Sequence, residues 1–333
     1  NQNALVRGNV AIGYLALQGG NFGSSDLNLD YNIAIGINAL NSTGATEHSN
    51  TVAIGRDACT AVNSNDASGT VAVGTFALGQ LTSGQANTAL GYAAMYNGMD
   101  VGDFNTAVGY EALYGLNPGS DGHGSNTAVG YRAGYTQTTA ENNTYVGARA
   151  GEAVTGTANT IMGREAGVAA TSTNYTTLIG HAAGAATMTG NNNTCLGASA
   201  GESLLGGHNN VLVGAGTGNT LTTGANNTII GDDADSEGTG TNRAVGIGRD
   251  IVAVQDYTTL GDGTDDIRAS HGNTTWSTVS DKRFKKNIES STAGLNFIKD
   301  LRPVTYNWKT KGEIPNWSRA YQEGSEEQYR NSK

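Results

Sequence analysis

Fifteen glycines recur along the chain at a spacing close to 17 residues, and no other feature restricts its fold so strongly. They are Gly13, Gly36, Gly55, Gly74, Gly91, Gly109, Gly130, Gly147, Gly163, Gly180, Gly197, Gly214, Gly231, Gly248 and Gly261, separated by 23, 19, 19, 17, 18, 21, 17, 16, five steps of 17, and 13 residues. Each closes a short apolar run. Asn-Thr-Ala-Val-Gly-Tyr occurs at 105–110 and again at 126–131, and variants such as Thr-Val-Ala-Ile-Gly, ending at Gly55, and Asn-Thr-Ile-Ile-Gly, ending at Gly231, fill the remaining positions. Units this short cannot enclose a core of their own, so they have to stack on one another. Longer early spacings carry insertions such as 120–125, which read as surface loops.

The runs are four or five residues long and bounded by Asn, Gly, Thr and Ser, which makes them strands rather than helices. A shorter Ala-rich piece, such as Glu111-Ala112-Leu113, follows each one. Side chains alternate along a strand, so Val52 and Ile54 share one face while Ala53 and Gly55 share the other. One face is branched aliphatic and the other nearly bare. The bare face admits a neighbouring backbone, and the aliphatics depend on stacking for their burial. The fold expected is all-β, a repetitive parallel β-roll or β-helix coil of about 17 residues per repeat over 1–261, forming a rod of roughly 70 Å. Asn precedes Thr at Asn87, Asn105, Asn126, Asn143, Asn159, Asn193 and Asn227, which in register predicts an amide ladder. Tyr follows the glycine at Tyr14, Tyr92, Tyr110 and Tyr131, so rings are expected to stack along one edge.

Composition divides the chain in two. All eight basic residues before Asp281 are Arg, and every Lys lies after it. The last 53 residues hold three of the 49 glycines and 11 of the 19 basic residues, leaving the first part at a net charge of 8 − 22 = −14. An acidic shaft lacks the basic footprint of a nucleic-acid binder. Two cysteines, Cys59 and Cys195, exclude a disulfide scaffold. No apolar run approaches the length of a membrane-spanning helix, and no apolar leader follows Asn1.

The glycine-closed repeats resemble the head repeats of trimeric bacterial surface adhesins and, equally, the shafts of phage tail fibres, over roughly residues 9–261. That resemblance implies a homotrimer. A sharper one lies downstream. Ser280-Asp281-Lys282-Arg283-Phe284-Lys285-Lys286-Asn287-Ile288, followed by Phe297-Ile298-Lys299-Asp300-Leu301-Arg302-Pro303-Val304-Thr305-Tyr306-Asn307-Trp308-Lys309, resembles the start of the intramolecular chaperone domain of phage endosialidases and tail fibres. The resemblance implies an α+β domain over 280–333 that aids trimer assembly and then cuts the bond between Val279 and Ser280. Ser280 would be the nucleophile and Lys285 its base, with Asp281, Arg283 and Asn287 supporting. A lysine serves as base only when neutral, and Arg283 and Lys286 beside Lys285 push its pKa in that direction, while Asp281 opposes. A helix N-cap at Ser280-Asp281 is the plainer alternative. The family's domain continues further, so residues to Lys333 read as its N-terminal part. Residues 262–279, with Trp276, read as a connector.

Other constellations are weaker. Asp233, Asp235, Glu237 and Gly238 open like a calcium loop, but the twelfth position is Ala244. Asp26, Asn28 and Asp30 are similar, with Tyr31 in place of glycine. His48, His123, His181, His208 and His271 share no metal-binding spacing, and no cofactor or metal is expected. The glycine-rich 206–218 stretch lacks the Lys-Ser/Thr of a phosphate loop. The function expected is therefore a structural and host-receptor-binding segment of a phage tail fibre. It would sit in the virion tail as a homotrimer, contacting a host surface glycan or protein and other tail proteins, without nucleic acid or membrane insertion. Its only chemistry would be a single self-cleavage. A polysaccharide-degrading tailspike enzyme, a bacterial trimeric adhesin and an ice-binding coil are the alternatives.

Overall fold

The structure is a computed structural model describing residues 6–18, 29–41, 48–62, 68–97, 102–117, 124–263, 265–278 and 323–326. The chain divides into two compact units, Asn1–Val279 and Ser280–Lys333. Of the second unit only 323–326 are described, and the account below concerns the first.

Among the described residues there is no helix. Fifteen short strands, from Val10–Ile12 to Tyr257–Leu260, pair in parallel, each with the strand one repeat away. Register is strict. Ala107 pairs with Ala128, which pairs with Tyr145, which pairs with Ile161. The expected all-β coil is present as a solenoid with one three-residue strand per coil. Insertions in the early coils fall between strands and do not shift the ladder.

The repeat glycine closes each strand. Gly180 has φ +137, a conformation open to glycine, and a Cβ there would strike the carbonyl oxygen of Gly197 in the next coil. After the glycine the backbone alternates in handedness. The second and fourth residues beyond it are left-handed in coil after coil, as at Glu111 (φ 52) and Leu113 (φ 49) or Arg149 (φ 60) and Gly151 (φ 58). That alternation points amide groups along the stack. Arg132 N donates to Tyr110 O (2.9 Å), and Gly134 N donates to Ala150 O (3.0 Å). The turn is thus hydrogen-bonded coil to coil nearly as fully as the strand.

Stacking settles the two strand faces the opposite way from the sequence expectation. The bare residue points inward: Ala34, Ala53, Ala72, Ala89, Ala107 and Ala128 are fully buried. The flanking aliphatics point outward and stay partly exposed, reaching 58% at Ile12. Between its strand and the facing turn, each coil has room for one large residue. In the early coils that residue sits in the turn, at Leu40, Cys59, Leu78, Met95 and Leu113, opposite an inward Ala. From Tyr145 onward it sits on the strand, at Tyr145, Ile161, Leu178, Cys195 and Leu212, and the turn position becomes glycine. A Cβ added at Gly184 would lie 2.8 Å from Leu178 Cδ2. Core volume is conserved while its source changes sides. Cys59 is therefore a core residue.

The amide ladder forms as expected. Asn143 N donates to Asn126 Oδ1 (3.0 Å), and Asn126 N donates to Asn105 Oδ1 (2.9 Å). Asn126 Nδ2 donates to Ala140 O (3.1 Å), tying the ladder to a loop. Asn210, which precedes Val rather than Thr, belongs to the same ladder, and Thr176 substitutes in it through its hydroxyl. Within 262–279, Ile267–Ser270 pairs antiparallel with Tyr257–Leu260, and Ser277–Thr278 pairs with Ile267 and Arg268, so part of this stretch extends the sheet. Two of the acids in the first stretch compared with a calcium loop are engaged between coils. Asp235 accepts from Thr220 Oγ1 (2.6 Å), and Glu237 accepts from Gln255 N (2.8 Å).

Candidate functional site

Two surfaces of the solenoid are built from aligned side chains that the core does not use. The first is the outward strand face. Ile12, Ile35, Ile54, Val73, Leu90, Val108, Val129, Val146, Met162, Ile179, Leu196, Val213, Ile230, Ile247 and Leu260 are successive partners in the ladder. Fifteen apolar residues in file, none charged, form a seam along the whole unit. Exposed contiguous apolar surface of that extent marks an interaction site.

The second surface is aromatic. The residue after the repeat glycine is Tyr92, Tyr110 and Tyr131 in three consecutive coils, and their rings stack with centroids 5.1 and 5.6 Å apart, inclined 10° and 20°. Tyr14, in the first coil, has Ile37 above it rather than another ring. A second file, which the sequence reading missed, stands five residues after each glycine. Tyr114 and Tyr135 stack at 5.1 Å, and Tyr96 lies 5.8 Å from Tyr114. The signal was present in Gly-Tyr-x-Ala-x-Tyr at 91–96 and 109–114, but a ring at the fifth place reads as core until the turn's geometry is known.

Between the two files lies a groove of about 200 Å³ lined by Phe76, Tyr92, Ala93, Tyr96, Glu111 and Tyr114. Phe76 stands edge-on to Tyr92 (5.9 Å, 85°) and to Tyr96 (5.5 Å, 66°). Arg132 lies over the Tyr135 ring at 3.8 Å, with Nε 3.4 Å from Glu111 Oε2 and Nη1 3.0 Å from Glu152 Oε1. The charge file continues upward through Arg149, Glu165 and Arg164. The Tyr110 hydroxyl is held above its usual pKa, first by its hydrogen bond with Glu111, and Tyr114 is raised chiefly by desolvation. Both phenols therefore stay protonated as hydrogen-bond donors.

The residues expected to cut the chain, Ser280 and Lys285, with Val279, Asp281, Arg283 and Asn287, lie outside the described residues, as do Asp26, Asn28 and His123. No described helix is long and apolar enough to cross a membrane. No match was found among curated proteins or among solved structures. Residues 280–323 match the family model for the chaperone of endosialidase, and a β-solenoid carrying such a segment fits a phage tail fibre-like protein.

Proposed function

We propose that this chain is the shaft and receptor-binding segment of a phage tail fibre, assembled as a homotrimer with help from its 280–333 segment. The observation that carries the reading is the aliphatic seam. Fifteen outward apolar side chains in register are costly to leave in water, and a repeated straight file suits association with copies of itself. The match at 280–323 supports it, being to a chaperone family. The domains follow as shaft over 1–261, connector over 262–279 and N-terminal part of the chaperone over 280–333. The partners are two further copies, other tail proteins and a host surface receptor, with the virion tail as location.

In the cleavage we propose, Ser280 Oγ adds to the Val279 carbonyl carbon while neutral Lys285 takes the hydroxyl proton. The carbon–nitrogen bond to Ser280 breaks, its nitrogen leaves protonated, and water hydrolyses the resulting ester. Sedimentation of the expressed chain tests the assembly. A trimer is expected, and Ile54→Glu with Val129→Glu is expected to weaken it; a monomeric wild type refutes the reading. Product mass tests the cleavage, expected between Val279 and Ser280 and abolished in Ser280→Ala. Continued cutting in that variant refutes Ser280 as nucleophile.

A further inference from the structure

The aromatic groove has the chemistry of a binding site, and its origin lies in one small residue. Two places after the repeat glycine stand Phe76, Ala93, Glu111 and Arg132 in consecutive coils. Three of these are large, and the fourth is a methyl group 3% exposed. Ala93 therefore forms the floor of a box one coil deep. Tyr92 and Tyr96 are its side walls, Phe76 closes one end edge-on, and Glu111 closes the other below the Tyr110 and Tyr114 rings. Two coils further on, the equivalent position is filled from within, where the Arg132 guanidinium lies over the Tyr135 ring at 3.8 Å. The protein itself thus shows what these walls accept, a flat group with hydrogen-bonding edges.

The charge at the box narrows the ligand. Glu111 repels an anion. It does not offer a free negative charge to a cation, because Arg132 Nε lies 3.4 Å from its carboxylate. What the closed end offers is an acceptor beside a donor, flanked by phenol hydroxyls. π faces on the walls and paired donor and acceptor at one end suit a ring whose C–H face is apolar and whose rim carries hydroxyls. We propose that the box between Tyr92 and Tyr96 binds one uncharged pyranose residue of a host surface glycan. This inference rests on the receptor-binding reading above and deepens it.

The test uses the full chain in its native assembly and three groups of probe: neutral hexose and N-acetylhexosamine oligosaccharides, sialylated oligosaccharides, and choline. Binding is read by saturation-transfer NMR and calorimetry. Ala93→Leu fills the box while keeping every ring, and its left-handed backbone (φ 51) already carries Leu15 (φ 55) and Phe76 (φ 63) at equivalent positions. Ala93→Leu and Tyr96→Ala are each expected to weaken binding of a neutral oligosaccharide at least tenfold. Sedimentation of each variant is expected to match the wild type. Preference for choline, or for sialylated probes, overturns the ligand class. Neutral-glycan binding unchanged in Ala93→Leu and Tyr96→Ala overturns the groove and leaves glycan receptor binding standing, whereas a wild type that binds no probe overturns both. Loss of assembly in these variants without loss of binding identifies the rings as part of the self-association face and likewise overturns the proposal.

Discussion

The change of side in the core gives a sharp test of what holds each coil together. Leu178 is fully buried on its strand, and the matching turn position is Gly184 (φ 58). Four strands earlier the roles are reversed, with Ala107 on the strand and a fully buried Leu113 (φ 49) in the turn. Leu178→Ala leaves a cavity in a thin core and is expected to cost about 3–5 kcal/mol. Gly184→Leu places a Cβ 2.8 Å from Leu178 Cδ2 and 3.0 Å from Met188 Cε, which adds about 1–3 kcal/mol of overpacking to about 1–2 kcal/mol of left-handed strain. The double variant, Leu178→Ala with Gly184→Leu, recreates the Ala107 and Leu113 arrangement. It removes the cavity and the clash with Leu178, and leaves the backbone strain and a contact with the end of the flexible Met188 side chain. The expected cost of the double variant is therefore about 1–2 kcal/mol, smaller than either single change and several kcal/mol below their sum. Urea denaturation at fixed protein concentration, followed by circular dichroism and tyrosine fluorescence, measures all four corners of the cycle. A double variant no more stable than the weaker single variant refutes the idea that strand and turn positions share one core volume.

Two further outcomes follow from the same interior. Asn126→Ala strands the buried Asn143 N, while Ala140 O keeps its bond from Gln137 Nε2 (2.6 Å), so a loss of about 1–3 kcal/mol is expected. Asn126→Thr should lose less, because Thr176 already accepts from Asn193 N at the same place in the ladder (3.4 Å), and equal losses in urea titrations would contradict the ladder's role. The buried thiols of Cys59 and Cys195 are pushed up from 9.0 to about 12 by desolvation, and Tyr145 is raised for the same reason. Above pH 9 the unfolded chain therefore binds fewer protons than the folded one, so stability falls as pH rises, by about 1.4 kcal/mol per thiol at pH 10. Denaturation midpoints at pH 8 and pH 10 should show this drop, and a Cys59→Ala, Cys195→Ala variant should show a shallower one.

Several of these features could be read from the sequence because each rests on one residue type recurring at one place. The glycine period gave the stack, Asn before the strand gave the amide ladder, and Tyr after the glycine gave the first ring file. The orientation of the strands could not be read this way. Thr-Ala-Val-Gly alternates correctly for either facing, and the usual rule that the larger apolar residue goes inside points the wrong way here. What decides it is the width of the coil. The left-handed residues of the turn bring its wall so near the strand that only one large side chain fits between them, and two per strand cannot. That width depends on backbone signs at residues such as Glu111 and Arg149, which carry side chains that sequence reasoning does not associate with positive φ. The box above Ala93 was hidden for the same reason, since its walls come from turn positions whose directions are set by those signs.

The same inversion bears on why a shaft like this would need a helper to assemble. Its private core is mostly alanine, and a buried methyl contributes only about 0.8 kcal/mol. A second set of large aliphatic residues is on the outside, about half hidden, and burying the rest of each is worth about 1 kcal/mol. Over fifteen residues that is roughly 15 kcal/mol per chain before the entropy of association, as large as the whole net stability of an ordinary domain. On the proposed assembly, then, much of the stability of each solenoid resides between chains rather than within one. A single chain would hold its coils by its narrow core and by backbone and amide ladders, with a long apolar file open to out-of-register partners one coil up or down. The strand file repeats every coil and so specifies register weakly. Aligned starting ends would remove that ambiguity, which is a task for a segment that joins the chains before the coils stack, and 280–323 occupies the position in sequence from which such a segment could act.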